Sequence, residues 1–128
     1  MEQEHWMKAL VQSKRMGNLL NEVLDLSRQI AQALDRNDQV AVEMLIAMRQ
    51  EPITKLEEAK QALQEQGEDL KNAEEALRLA LLVNGGEPER PEEFPLAEQV
   101  AANGRRLKQV LELEQVLNRR ITRDKTIY

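Results

Sequence analysis

VAVEMLIAMRQEPITKLEEAKQALQEQGEDLKNAEEALRLALL, residues 40–82, places apolar side chains at Val42, Leu45, Leu56, Ala59, Leu63, Leu70, Ala73, Leu77 and Ala80, a mean step of about 3.5 residues. Only long helices wound left-handedly on their neighbours keep such a stripe on one side over that length. Arg49, Pro52 and Gln66 fall on the same seam and interrupt it without shifting its phase. The stretch predicts one second helix over about 38–83, roughly 70 Å long. It is expected to kink at Pro52, where a backbone donor is lost and the ring crowds the preceding turn. Gly67 is a second weak point. A break there would give four helices, but the phase continues through Leu70 and favours three.

Upstream, Met16, Leu19, Val23, Leu26, Ile30 and Ala33 repeat the same step and predict a first helix over about 2–34. Trp6, Leu10 and Ser13 are out of phase with that seam, and Gly17 sits near the change, so a bend or a frayed first segment is expected. Asp35-Arg36-Asn37-Asp38 closes the first helix, and Asn37 or Asp38 caps the second. The second helix ends at Asn84-Gly85-Gly86. NGGEPERPEEFP, residues 84–95, holds three of the four prolines and reads as an acidic, non-helical loop with a mobile tip. A last helix over about 96–123 has Leu96, Val100, Leu107, Val110, Leu117 and Ile121 at its seam. Asn103 and Glu114 interrupt it, and Leu111 and Leu113 lie off it. Three helices with one apolar stripe each predict a single all-α domain over 1–128, an elongated antiparallel three-helix bundle or coiled coil with a long, Pro-kinked middle helix. The middle helix overhangs its partners, and its uncovered stripe calls for a second copy or another protein.

Composition narrows the function. The 128 residues are 41% apolar and 32% charged, with Trp6, Phe94 and Tyr128 the only aromatics, so the core is expected to be aliphatic. There is no cysteine, which excludes disulfides, thiolate nucleophiles and cysteine zinc sites. MEQEHWMK lacks the basic start and apolar run of a signal peptide, and no apolar stretch approaches ~18 residues; a soluble, cytoplasmic protein is expected. The net charge of -5 is uneven: residues 38–84 carry ten acids and five bases, 97–128 four acids and seven bases. Packing of an acidic second helix against a basic last one explains that most simply.

No constellation points to catalysis or to a cofactor. Glu2-Gln3-Glu4-His5 contains one Glu-x-x-His, but a di-metal bundle needs two copies and further buried glutamates, and His5 is the only histidine. The glutamates of 57–75 occupy outward positions, Ser13 and Ser27 lack a histidine base, and Gly85-Gly86 ends a helix where a phosphate loop would begin one. Arg105, Arg106, Lys108, Arg119, Arg120, Arg123 and Lys125 make the last helix basic, yet no stacking aromatic accompanies them, which argues against nucleic acid. Arg49 and Gln66 either mark where the bundle opens to water or fix its register. Val110, Leu111, Leu113, Leu117 and Ile121 put apolar residues on two sides of successive turns. That width serves either a broad core face or a surface that receives an apolar helix from a partner.

The order of parts resembles the FlgN family of flagellar export chaperones. The resemblance rests on the leucine seam of the first helix; on LDRNDQVAVEMLIAMRQEPI at 34–53; on Asn103 and Leu107, similar to the family's N-x-x-x-L; on LKQVLELEQVLNRRI at 107–121; and on the terminal Thr126-Ile127-Tyr128. It implies a non-enzymatic cytoplasmic chaperone that holds the C-terminal helices of hook-filament junction proteins and delivers them to the membrane export gate. By position, Val110, Leu111, Leu113, Leu117 and Ile121 would face the substrate and Tyr128 would dock at the gate. The rival expectation is a structural coiled-coil module that self-associates along Leu56 to Ala80.

Overall fold

A computed structural model describes the backbone of residues 2–126 and the side chains of 4–123. Four α-helices pack together: α1 (Glu2–Asp35), α2 (Gln39–Asp69), α3 (Ala73–Val83) and α4 (Phe94–Thr126), with a single 3-10 turn at Pro91–Glu93. The all-α bundle expected from the sequence is present. The count of three helices is not, because the segment read as 38–83 is divided between α2 and α3.

Three layers of core define the topology. Leu26, Ile30, Ala33 and Leu34 of α1 meet Val42 and Leu45 of α2 and Leu117 of α4 at one end. Leu20, Val23 and Leu24 meet Val110, with Ile53, Leu56 and Leu113 packed against them, in the middle. Trp6 and Ala9 meet Leu63, Leu79, Leu82 and Leu96 at the other end. The numbers fall along α2 as they rise along α1, so those helices are antiparallel, whereas α4 runs parallel to α1. α1 packs along both α2 and α4, and those two approach each other closely at few points.

The chain reverses between α1 and α2 through a two-bond Schellman closure, Asp38 N–H to Ala33 O at 2.9 Å and Asn37 N–H to Leu34 O at 3.1 Å. Asn37 takes the left-handed φ of 56° that this motif requires. Asp38 then caps α2 by accepting from Ala41 N–H at 3.1 Å.

The break between α2 and α3 has a local and a tertiary cause. Leu70 is extended, and the Asn72 side chain accepts from Glu75 N–H at 3.1 Å, a cap that competes with continued helix. The change of direction turns the predicted seam residues Ala73, Leu77 and Ala80 outward and buries Leu79 and Leu82 instead. Burying two leucines contributes about 3–6 kcal/mol, more than the helical bonds lost at the break. The expected overhang is thereby folded onto Trp6 and Leu96.

Two further expectations are corrected at this end of the bundle. α1 is helical from Glu2 without a frayed first segment, and Trp6, only 4% exposed, joins a core that is therefore not purely aliphatic. Of the residues out of phase with the α1 seam, Trp6 packs against Leu79 and Leu82 because α3 gives this end of the helix an additional neighbour, while Ser13 faces α4 through its carbonyl. At Gly17 the absence of a side chain admits α4. A Cβ placed on it would lie 2.7 Å from Asn103 Oδ1 and 2.9 Å from Gln99 Nε2. Gly17→Ala is expected to lower stability by about 1 kcal/mol, since Asn103 can swing clear of the new methyl only by giving up its bond to the Ser13 carbonyl, a cost that outweighs the gain in helix propensity. A higher melting temperature for this variant would show that the α1–α4 contact yields without cost.

The 84–95 segment is more ordered by contacts than its composition suggests. Gly85, at φ 90°, closes α3 with Gly86 N–H on Leu81 O at 2.7 Å. Pro91–Glu93 forms the 3-10 turn that leads straight into α4 at Phe94, so the last part of this stretch is helical. Proline in a first turn loses no helical bond. Arg78 of α3 donates to both oxygens of the fully buried Glu93 at 2.6 and 3.2 Å, and Glu89 N–H donates to it at 2.9 Å. Hydrogen bonding from Arg78, against the opposing effect of burial, holds the Glu93 carboxyl down from its ordinary 4.5 to about 2. A depressed carboxyl stabilises the fold above its unfolded value and loses that contribution as it is protonated. Acid should therefore weaken the wild-type protein between about pH 4.5 and 2. The pH dependence of urea midpoints over that window should be shallower in Glu93→Gln. Equal slopes would remove Glu93 from the acid transition.

Candidate partner-binding surface

The polar residues that interrupt the helix seams tie the helices to one another. Arg49 of α2 donates to Glu114 of α4 in a bidentate pair at 2.6 and 3.1 Å and to Ser27 Oγ of α1 at 3.1 Å. Gln66 donates to the His5 carbonyl at 2.7 Å, and Asn103 donates to the Ser13 carbonyl at 2.7 Å while accepting from Gln99. Each bond joins different helices at one height except the last, within α4. Sliding any helix by one turn would strand these groups, so they fix register, the second of the two readings left open by the sequence. The charge pairing expected between an acidic second and a basic last helix takes another form. Here α2 supplies the arginine and α4 the glutamate, while Arg120 of α4 pairs with Asp35 of α1 at 2.9 Å.

This scaffold separates the five residues singled out on α4. Val110 and Leu117 are buried in the bundle core, and Leu113 and Ile121 are half-buried against it. Leu111 is 54% exposed. Leu107, one turn earlier, is 42% exposed, and Val116 is 41% exposed. The apolar face therefore divides into a core side and two flanks, with Leu107 and Leu111 one turn apart on one of them and Val116, about 140° round the helix from Leu111, on the other. Tyr128 lies outside the described residues.

A second apolar row, Val40, Met44 and Met48, faces solvent on the first three turns of α2. Sequence reasoning did not single it out, although the signal was present: residues 40–48 are apolar nearly all round, and only the Val42 and Leu45 side finds a core. Between α1 and α2 lies a shallow cleft of about 700 Å³, with Met7, Val11, Ala62 and Leu70 on its walls and Glu65 and Asp69 at its rim.

His5 Nε2 faces Glu75 at 3.8 Å, too far for a hydrogen bond. Among the described residues no three His, Cys, Asp or Glu side chains converge as a metal site, and no helix is long and apolar enough to cross a membrane. No family model matches the chain, and no curated protein or solved structure is detectably similar to it.

Proposed function

We propose that this chain is a non-enzymatic helix-binding protein, and, following its resemblance at residues 34–53 and 103–128, a cytoplasmic export chaperone of the FlgN kind. The observation that carries this reading is the location of the uncovered apolar surface. A chaperone needs the excess on the last helix, and α4 exposes Leu107 and Leu111 on successive turns of one flank. A module that self-associates along Leu56 to Ala80 needs it there, and Leu77 is the one large apolar side chain strongly exposed in that stretch. An isolated amphipathic helix is marginal in water, so a complementary ridge on a preformed bundle can hold it reversibly.

In this reading Leu107 and Leu111 make first contact with the C-terminal helix of a hook-filament junction protein, and the half-buried Leu113 and Ile121 belong to the core side of the same apolar face. Val110 and Leu117 support the ridge from the core. Tyr128 contributes to docking at the export gate. The competing reading, self-association, is favoured by the row of Val40, Met44 and Met48.

Calorimetric titration at fixed salt with the C-terminal helical segment of a hook-filament junction protein tests the proposal. Saturable one-to-one binding, weakened on the order of 30-fold by Leu111→Glu as expected of an interface anchor, supports it. Absence of heat, together with a defined oligomer by light scattering that Met44→Glu dissociates, would replace it with self-association.

A further inference from the structure

α3 has two apolar faces. Leu79 and Leu82 are buried among Trp6, Ala9, Leu63 and Leu96, while Leu77, Ala80 and Leu81 face solvent on the other side. The heptad seam of the sequence runs through Leu77 and Ala80, which would continue the Leu63 and Leu70 side if α2 were not interrupted. One segment thus carries the side chains for two placements, and the structure uses one. Both ends of α3 are suited to a change of direction: Leu70 is extended ahead of the Asn72 cap, and Gly85 with Gly86 follows.

The contacts under α3 are incompletely satisfied. Glu75 is buried opposite His5, whose Nε2 has no hydrogen-bond partner among the described residues. Charged hydrogen bonds come from Arg78 to Glu93. A helix of 11 residues has little stability of its own, so its placement depends on this socket.

We propose that the apolar socket of Trp6, Ala9, Leu63 and Leu96 is a docking site for an amphipathic helix of a partner protein, with α3 as its built-in competitor. What α3 presents there defines the occupant: two leucine-sized residues three apart, as at Leu79 and Leu82, the first directly preceded by an arginine that reaches Glu93, as Arg78 does. The freed α3 continues α2 and offers Leu77 and Ala80 to the incoming helix. Leu96 and Leu111 are fifteen residues apart, roughly 22 Å along α4, so this site is separate from the ridge and does not depend on it.

Trp6 is the only tryptophan and lies under α3, so its emission reads the socket directly. The probe is a capped synthetic peptide of residues 72–84, NAEEALRLALLVN, added to the full chain carrying Leu79→Glu and Leu82→Glu. The variant alone should emit to the red of wild type while keeping most of its helical circular dichroism. The peptide should reverse the shift with one-to-one saturation, and the same peptide with Arg78→Ala should bind at least tenfold more weakly. A folded variant whose emission the peptide leaves unchanged overturns the proposal. Amide exchange of the wild-type chain decides independently, including where the variant does not fold. Exchange of the α3 amides as a unit, on the order of tenfold or more faster than the core amides of α1, supports a displaceable helix. Exchange of both at one common rate overturns it, as does a wild-type dimer in which α3 is swapped between copies.

Discussion

Leu117→Glu is expected to unfold the bundle, whereas Leu111→Glu should leave it folded. Leu117, 1% exposed, sits in the apolar cluster formed by Leu26, Ile30, Ala33, Leu34, Val42 and Leu45. Glutamate there forfeits the burial of a leucine, about 2–3 kcal/mol. It also places a carboxyl group in an apolar cluster, at a further cost of about 2–7 kcal/mol. The total is comparable with the whole stability of a small domain, about 5–15 kcal/mol. Six residues earlier, the same substitution falls on a side chain that already faces water, where changes are usually within about 0.5 kcal/mol. Thermal circular dichroism separates the two: no cooperative transition for Leu117→Glu, and a midpoint within a few degrees of wild type for Leu111→Glu. A cooperative melt retained by Leu117→Glu would contradict the packing of α4 on α1. The pair also disentangles binding from folding, because a loss of partner affinity in Leu111→Glu cannot then be ascribed to a damaged bundle.

Arg49→Ala is expected to be the next most damaging change. It removes both hydrogen bonds to Glu114 and the one to Ser27, leaving a partly buried carboxylate between three helices. Breaking a buried pair from one side costs about 3–5 kcal/mol. The lower end is appropriate here because Glu114 retains some access to water. Replacing both members, Arg49→Met with Glu114→Met, should recover most of that loss, since methionine fills the volume and no charge is stranded. Urea denaturation of the two variants measures the difference. A shift below about 0.5 kcal/mol for Arg49→Ala would mean that the pair does not hold α2 and α4 together. The double variant carries a separate expectation: with the register contact gone, its amides in α2 and α4 should exchange faster than wild type at equal global stability.

Much of this architecture is legible in the chain because periodicity is a local property. The seams of Leu19 to Ala33 and of Val42 to Leu63 are the buried rows of α1 and α2, and DRND marks the first turn to within a residue. The positions that break the seams were legible as well, namely Arg49, Gln66, Asn103 and Glu114. What periodicity does not contain is which interruption faces which. Arg49 and Glu114 are 65 residues apart, and their pairing exists only once α2 and α4 flank α1.

The reading from sequence alone went astray where a long-range gain outweighed a local preference. Continuous phase through Leu70 argued for one helix to residue 83. Burial of Leu79 and Leu82 beside Trp6 made a break at Leu70 more favourable, and that contact joins segments more than seventy residues apart. The same rearrangement brought Trp6 into the core, turned Leu77 outward and tied the acidic 84–95 segment to α3 through Arg78. On α4 the five apolar residues were recognisable as a face wider than one seam. Their division into core and ridge depended on where α1 lies.

By itself, then, the sequence determined that the protein is helical and where its long stripes lie. Those are consequences of residue type and of spacing over a few turns. The tertiary structure alone decided the fourth helix, the partners of the buried polar groups, and that Leu111 faces water while Leu117 does not. Each of these depends on the free energy of contacts between residues distant in the chain, which no local pattern encodes.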